Sequence, residues 1–546
     1  MKEYPNYTGA APVPTLNLGA TARTPQWLNQ VVVTASQMRA IETLMFEAGM
    51  PVAALMEKVA GLITRRLEQI YPADRYPKVG VLVGPGHNGG DALVVARELW
   101  HRGRKVKVCV PLEKLKDLTA AHWQYLQNLE IAAVELVELQ TCDLIVDGLF
   151  GFGLERELAG VVANTIDVVN EWGIPILSID VPSGLHTDTG TVMGTAVRSD
   201  RTLCLGLWKR GLLTEVAAPY TGQVERIDFD IPVRSVEAVL GNAPDLWRID
   251  PVWALAQLPR RRPVDVHKYR VGHLLLIAGS KRYGGAAILA ALGARASGIG
   301  MLSVAVPTSL GDAILAHLPE ALVISCPETS SGAIAQLPAD LDLTKYQAIA
   351  CGPGLSLDAR AVVDLVLNAS CPLVLDADGL NLLAQIGVER LIQRHQAQYP
   401  TVITPHWGEF CRLFPQLASS SDRIAVARTA AAETGAIILL KGARTTISFQ
   451  PTPTQPSSIQ TWINAESSPS LARGGSGDVL TGAIGGLWAQ DLAGSVAAIA
   501  STAWHAQTAL KLASYRTDMG VDPVTLAQNL LEPGLRRQLS DIWDII

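Results

Sequence analysis

The chain of 546 residues lacks the features that mark several large protein classes. Its seven cysteines, Cys109, Cys142, Cys204, Cys326, Cys351, Cys371 and Cys411, are odd in number and never spaced as C-x-x-C. Neither a disulfide framework nor a thiolate zinc site is indicated, and a reducing compartment is expected. Aromatic residues make up only 5%, and 45 Lys plus Arg are outnumbered by 51 Asp plus Glu, for a net charge of −6. Nucleic-acid binding through a basic face or a stacking platform requires the reverse of both. No apolar run of signal-peptide length precedes Val31, and the strongest apolar stretch, Ala483 to Trp504, is interrupted by Gln490 and Asp491. No membrane span is expected, and the protein reads as soluble and cytoplasmic. A chain with 48% hydrophobic and 18% charged residues can bury a large core, and its length, several times the roughly 150 residues of a typical domain, points to two domains.

From Val31 onward, short β-branched runs alternate with stretches of helical period, the pattern of a parallel sheet with crossover helices. The first set is Val79 to Val83, Val106 to Val110, Leu144 to Val146, Ile176 to Ile179 and Leu203 to Leu205. A break follows, marked by Pro232, Pro244, Pro251, Pro259 and Pro263. The second set is Leu274 to Ala278, Leu302 to Val306, Ala348 to Ala350, Leu373 to Leu375, Val402 to Ile403 and Ile437 to Leu440. Thr445 to Phe449 and Ile459 to Ile463 then read as a hairpin around the Pro- and Ser-rich tip Gln450 to Ser458.

Ligands of open parallel sheets bind beyond the carboxyl ends of the strands. There the first half carries Gly84-Pro85-Gly86-His87-Asn88-Gly89-Gly90-Asp91, then Asp147 ahead of Gly148 to Gly153, then Asp180-Val181-Pro182-Ser183. Asn88, Asp147 and Ser183 offer oxygen ligands from three strand ends, a set suited to a hard cation and poor for zinc. Asp180 remains as a candidate acid or base. Any one of these residues taken alone would more commonly cap a turn, and the coincidence of three strand ends is what argues for a site.

The second half carries Arg473-Gly474-Gly475-Ser476-Gly477-Asp478 ahead of an apolar helix. Glycines before a helix aim backbone N–H groups at an anion. A carboxylate beside phosphates is repelled by them unless it accepts a proton from an attacking hydroxyl, which makes Asp478 a candidate base. Gly482, Gly485 and Gly486 further along that helix point to close packing or ligand approach. Lys441 can serve phosphates as a point charge. Asp376 and Asp378 suit either Mg²⁺ through water or a turn cap, and His406 suits an amide contact or a pair with Glu409.

As an ordered set, GPGHNGGD, DLIVDGLFGFG, SIDVPSGLHTDTG, HKYRVGHLLLIAGS, GPGL, LDADGL, TPHWGEF, KGART and GGSGDVLTG resemble the bifunctional NAD(P)H-hydrate repair enzymes. That family fuses an NAD(P)H-hydrate epimerase to an ADP- or ATP-dependent NAD(P)H-hydrate dehydratase. The resemblance implies an α/β chain with a Rossmann-like epimerase domain at 30–237, a linker at 238–262 and a ribokinase-like dehydratase domain at 263–546. It implies hydrate binding in the first domain by His87, Asn88, Gly89, Gly90, Asp91, by Gly151, Phe152, Gly153, Leu154, Glu155, Arg156, Glu157, and by Asp180, with catalysis by Asp180. K⁺ would sit on Asn88, Asp147 and Ser183. In the second domain hydrate would contact Ala286, Gly354, His406 and the catalytic Asp478. ADP or ATP would lie on Lys441, Gly442, Ala443, Arg444, Thr445, Gly474, Gly475, Ser476 and Gly477, with Mg²⁺. Partners would be NAD(P)H hydrates and the adenine nucleotide, with no nucleic acid and no membrane, in a homo-oligomer. The chain departs from family usage at His87, where NNGGD is usual, at Leu55 to Ala60, and at Trp407 in the usual HPGE. The same glycine cradle and Asp also serve kinases of vitamin or sugar hydroxyls, and a non-catalytic first domain is a further alternative.

Overall fold

The computed structural model describes residues 26–241, 243–259, 261–451 and 458–530. These form two compact units that divide between Arg248 and Ile249, within the stretch expected as the linker.

The first unit is built on six parallel strands, β1 Lys78–Val83, β2 Lys105–Cys109, β3 Leu144–Gly148, β4 Ile176–Ile179, β5 Arg201–Leu205 and β6 Gln223–Ile227. They lie side by side in the order β2-β1-β3-β4-β5-β6. Strands β1, β3 and β4 are buried nearly end to end, which is why their sequences read as unbroken apolar runs. The chain leaves β1 toward β2 and returns across the sheet to β3, so the crevice between β1 and β3 is the switch point of the topology. Gly84 and Gly148 close that crevice, with Gly84 N donating to Gly148 O at 3.1 Å. A side chain at 84 would overlap the backbone of Leu149. The glycines here are what allow the two strand ends to meet.

In the second unit nine strands run side by side: β7 His273–Ile277, β8 Met301–Pro307, β9 Leu322–Cys326, β10 Ala348–Cys351, β11 Leu373–Leu375, β12 Thr401–Ile403, β13 Ile437–Leu440, β14 Thr445–Phe449 and β15 Gln460–Asn464. Their order is β9-β8-β7-β10-β11-β12-β13-β14-β15, parallel through β13 and antiparallel beyond it. The hairpin arms pair Thr445 with Asn464 and Phe449 with Gln460, as expected, and residues 452–457 of its tip lie outside the described residues. Adjacent strands β7, β10, β11, β12 and β13 therefore deliver Gly279, Gly352, Asp376, Thr404 and Lys441 to one edge of the sheet. Both units are α/β, each built on a largely parallel sheet, as the sequence pattern led one to expect.

Helix Ser476–Trp488 crosses helix Gly284–Ala296 at backbone contact distance. A methyl group at Gly482 would overlap Ala290 O, and one at Gly293 would overlap Val479 O. The helix glycines thus mark close packing, which fixes where the cradle at the head of Ser476–Trp488 lies. The long apolar stretch near the chain's end is divided between this helix and Gly494–Arg516. Among the described residues no helix is long and apolar enough to cross a membrane.

Candidate active sites

Beyond the carboxyl ends of β1, β3 and β4 the first unit opens a cavity of about 520 Å³. His87, Asn88, Asp91, Gly151, Phe152, Gly153, Leu154 and Asp180 line it, together with Glu42 and Lys209. Asp180 is held in a left-handed conformation, φ 67°. Its Oδ2 accepts from Phe152 N at 3.0 Å, and its Oδ1 accepts from Leu205 N at 3.2 Å and from Lys209 Nζ at 2.6 Å. Both partners of the ion pair are buried, with side-chain exposures of 1% for Lys209 and 4% for Asp180. Lys209 also donates to Leu205 O and lies 5.6 Å from the centre of the Phe152 ring. Burial alone would disfavour the ammonium, but the Asp180 carboxylate outweighs it and raises the lysine's pKa.

Of the other residues expected here, Gly89 and Gly90 are packing positions: side chains would strike Gly84 O and Met56. Glu155, Arg156 and Glu157 are exposed outside the cavity lining, and Glu155 pairs with Arg39 at 3.1 Å. His87 opens helix His87–His101, and burial with the nearby Lys116 lowers its pKa, leaving a neutral imidazole. Asp91 feels burial first and then Asp180 and Glu42, which raise its pKa well above the carboxylate range.

Asp147 is fully buried and accepts four hydrogen bonds: from Ser183 Oγ at 2.6 Å, Ser178 Oγ at 2.7 Å, Ser183 N at 2.9 Å and Leu149 N at 3.2 Å. Burial still raises its pKa, with those bonds pulling against it. The Asn88 backbone carbonyl abuts Gly148, next to Asp147, and Asn88 Oδ1 and Asp180 Oδ2 crowd the same side of Gly151. Asn88 Nδ2 is buried without a hydrogen-bond partner.

In the second unit Asp478 occupies the first turn of helix Ser476–Trp488, behind Gly475 at φ 95°. Burial pushes its pKa up to about 7; Asp376, Asp378 and Glu409 add to the rise and Lys441 opposes it. Lys441 Nζ donates to Asp376 Oδ1 at 2.7 Å, and Thr481 Oγ1, one turn beyond Asp478, donates to Asp376 Oδ2 at 2.5 Å. A side chain on Gly477 would come within 3.4 Å of Lys441 Nζ, so the lysine flanks the head of the helix. Gly442 to Thr445 form the turn into β14, with Thr445 Oγ1 donating to Gly442 O at 3.1 Å. His505, buried on helix Gly494–Arg516, donates from Nε2 to Ser476 O at 3.0 Å, and burial lowers its pKa to about 4.

Along the same edge Ala286 packs on Gly354, whose carbonyl accepts from Ser280 Oγ at 2.8 Å. His406 caps helix Trp407–Leu413: its Nδ1 accepts from Gly408 N at 3.0 Å, and its own N–H donates to Glu409 Oε2 at 2.8 Å. Asp378 Oδ2 accepts from Ser356 N at 2.8 Å. Asp376 is the counterion that joins Lys441 to the helix of Asp478.

Residues 274–532 match the family model described as NAD(P)H-hydrate dehydratase, and residues 52–211 match the YjeF-related protein N-terminus. A bifunctional NAD(P)H-hydrate repair enzyme of Thermosynechococcus vestitus is 53% identical over 511 residues, covering 93% of this chain and 98% of its own length. The chain belongs to the bifunctional NAD(P)H-hydrate repair enzymes. Another repair enzyme of this family, from Synechocystis, is 49% identical over 523 residues, covering 95% of this chain and 97% of its own. Among solved structures, the ADP/ATP-dependent NAD(P)H-hydrate dehydratase of Bacillus subtilis, co-crystallised with ATP/Mg²⁺, is 31% identical, covering 53% of this chain and 98% of its own at a TM-score of 0.43. In this chain the epimerase domain comes first and the dehydratase domain second.

Proposed function

We propose that the cavity around Asp180 interconverts the two epimers of hydrated NAD(P)H, and that the head of helix Ser476–Trp488 dehydrates one of them at the cost of an adenine nucleotide's terminal phosphoryl group. The observation that carries this reading is a single acid, Asp478, held beside a lysine at a glycine-lined helix start with its proton affinity tuned near neutrality. Hydroxide is a poor leaving group, so the hydrate's hydroxyl must first be converted to a better one. Asp478 takes the hydroxyl proton as that oxygen attacks the terminal phosphorus. The first-turn amides, which have no intrahelical acceptors, face the developing negative charge, and Lys441 adds a point charge beside them. The ring nitrogen's lone pair then expels phosphate, and loss of a proton from the adjoining ring carbon to water restores the double bond. His505 holds the Ser476 carbonyl and Asp376 holds Thr481, so the helix start is fixed from two sides.

Mg²⁺ would ride on the nucleotide's phosphates, with Asp378 the acid at hand through water; it supplies charge neutralisation there. For K⁺ the donor chemistry fits: Asn88, Asp147 and Ser183 offer oxygens, Asp147 is buried with its charge incompletely compensated, and the Asn88 amide end has no partner. With that amide's oxygen and nitrogen exchanged, the orphaned atom becomes an acceptor that a cation would satisfy. We place this chemistry in a cytoplasmic homo-oligomer. The decisive test is Asp478→Asn in the full chain supplied with mixed hydrate epimers, Mg²⁺ and nucleotide. Restoration of NAD(P)H should fall about 10²-fold or more while epimer exchange continues; undiminished restoration would overturn the role of Asp478.

A further inference from the structure

Glu42 lies outside every motif that marks the first site, yet it lines the cavity. Helix Ala35–Glu47 buries Met38, Ile41 and Met45, and that packing turns Glu42 toward the cavity wall. Arg39, one turn earlier on the same helix, faces the rim and pairs with Glu155. The groups facing Glu42 are Lys209 and Asp180 from the sheet side, Asp91 from helix His87–His101, and Arg39 from its own helix. Burial, reinforced by Asp180 and opposed by Lys209 and Arg39, pushes the Glu42 pKa up to about 7.

The two acids therefore differ in kind. Asp180 has its charge balanced by Lys209 and takes three donors. The Glu42 carboxylate takes no hydrogen bond from the described residues, and its remaining neighbour is whatever enters the cavity. A half-buried acid that lines the cavity and takes no hydrogen bond from the described residues is placed for proton transfer.

We infer that Glu42 is a catalytic residue of the first unit, exchanging a proton with the hydrated nicotinamide ring opposite Asp180; this rests on reading the cavity as the epimerase site. The carbon that inverts bears both the hydroxyl and the ring nitrogen. One carboxylate removes the hydroxyl proton, the C–O bond becomes a carbonyl, and the C–N bond breaks with its electron pair going to nitrogen. The other carboxyl group protonates that nitrogen. Rotation and ring closure on the opposite face return both protons, so nothing is oxidised or reduced and no proton is consumed. The cycle needs one group that accepts a proton and one that donates it, on either side of the ring.

The test uses the full chain with a single NADH-hydrate epimer and no nucleotide, following the other epimer by chromatography. Glu42→Gln should lower kcat about 10²-fold or more, keep KM within about threefold, and abolish the limb of the pH–rate profile near pH 7; Glu42→Asp should recover part of the rate with the limb restored. Exchange by Glu42→Gln at the wild-type rate would overturn the inference. So would a loss shared between kcat and KM with the pH limb unchanged in both variants, since that marks a structural role. Failure of the wild-type chain to exchange epimers would instead overturn the epimerase reading itself.

Discussion

Removing the buried ammonium next to Asp180 tests whether the first site is held together by charge. Lys209→Met keeps most of the side-chain volume but deletes the 2.6 Å contact to Asp180 Oδ1 and the bond to Leu205 O. With exposures of 1% and 4%, little water reaches the stranded carboxylate. Breaking such a pair while leaving one charge behind costs about 3–5 kcal/mol. The two backbone donors on Asp180 remain, which places the cost toward the lower end. The sign with pH follows from the raised lysine pKa: the contribution is fully present below the unfolded value of about 10.4 and is lost only as pH rises through the still higher folded value. The effect should therefore be flat across neutral pH. Hydrogen exchange of the Arg201–Leu205 amides reads the first unit directly, with Leu373–Leu375 of the second unit as the internal reference. Exchange of the former should accelerate roughly a hundred- to a thousandfold while the latter is unchanged. Lys209→Met combined with Asp180→Asn should recover at least half of that loss, because the stranded charge is gone. Exchange of the single variant within about threefold of wild type would refute the argument.

Asp478→Asn should stabilise the second unit at pH 8 even as it ends dehydration: a pKa raised to about 7 makes the folded state prefer the proton, so stability falls as pH rises toward 7 and removing the charge restores up to about 4 kcal/mol, read as a higher urea midpoint. The same group predicts that dehydratase kcat/KM falls about tenfold per unit below pH 7 and levels above it, and a rate independent of pH from 5 to 8 would exclude Asp478 as the base. Gly482→Ala should cost about 1–3 kcal/mol by pushing apart two helices in backbone contact, measured as a lower melting temperature. Asn88→Ala should remove any gain in thermal midpoint that the wild-type chain shows in potassium chloride over sodium chloride at equal ionic strength; an equal gain in both proteins would place the cation elsewhere.

The interior of the fold was legible because strands buried on both faces must be continuously apolar, as in Val79 to Val83 and Ile437 to Leu440. The edge strands Gln223–Ile227 and Leu322–Cys326 went unread because one side faces water and admits Gln223, Glu225 and Arg226, or Ser325, into the run. Asp478 could be found because glycines and a helix start surround it in sequence. Lys209 could not: it follows a short apolar segment, reads as a solvent-facing charge, and acquires its meaning only from Asp180, on another strand end. Glu42 is hidden in the same way on an amphipathic helix, where a carboxylate is the ordinary surface residue. Asp376 was recognised as a strand-end acid, but its pairing with Lys441 and Thr481 joins three elements far apart in the chain, and no local pattern encodes that.

The most direct test of the account follows inorganic phosphate and restored NAD(P)H together, after the wild-type chain is given hydrate, Mg²⁺ and an adenine nucleotide. Phosphate and dihydronicotinamide should appear in equal amounts, with no phosphorylated ring accumulating. Nucleotide consumption that yields a stable phosphoester and no NAD(P)H would contradict the account and make the second unit a kinase.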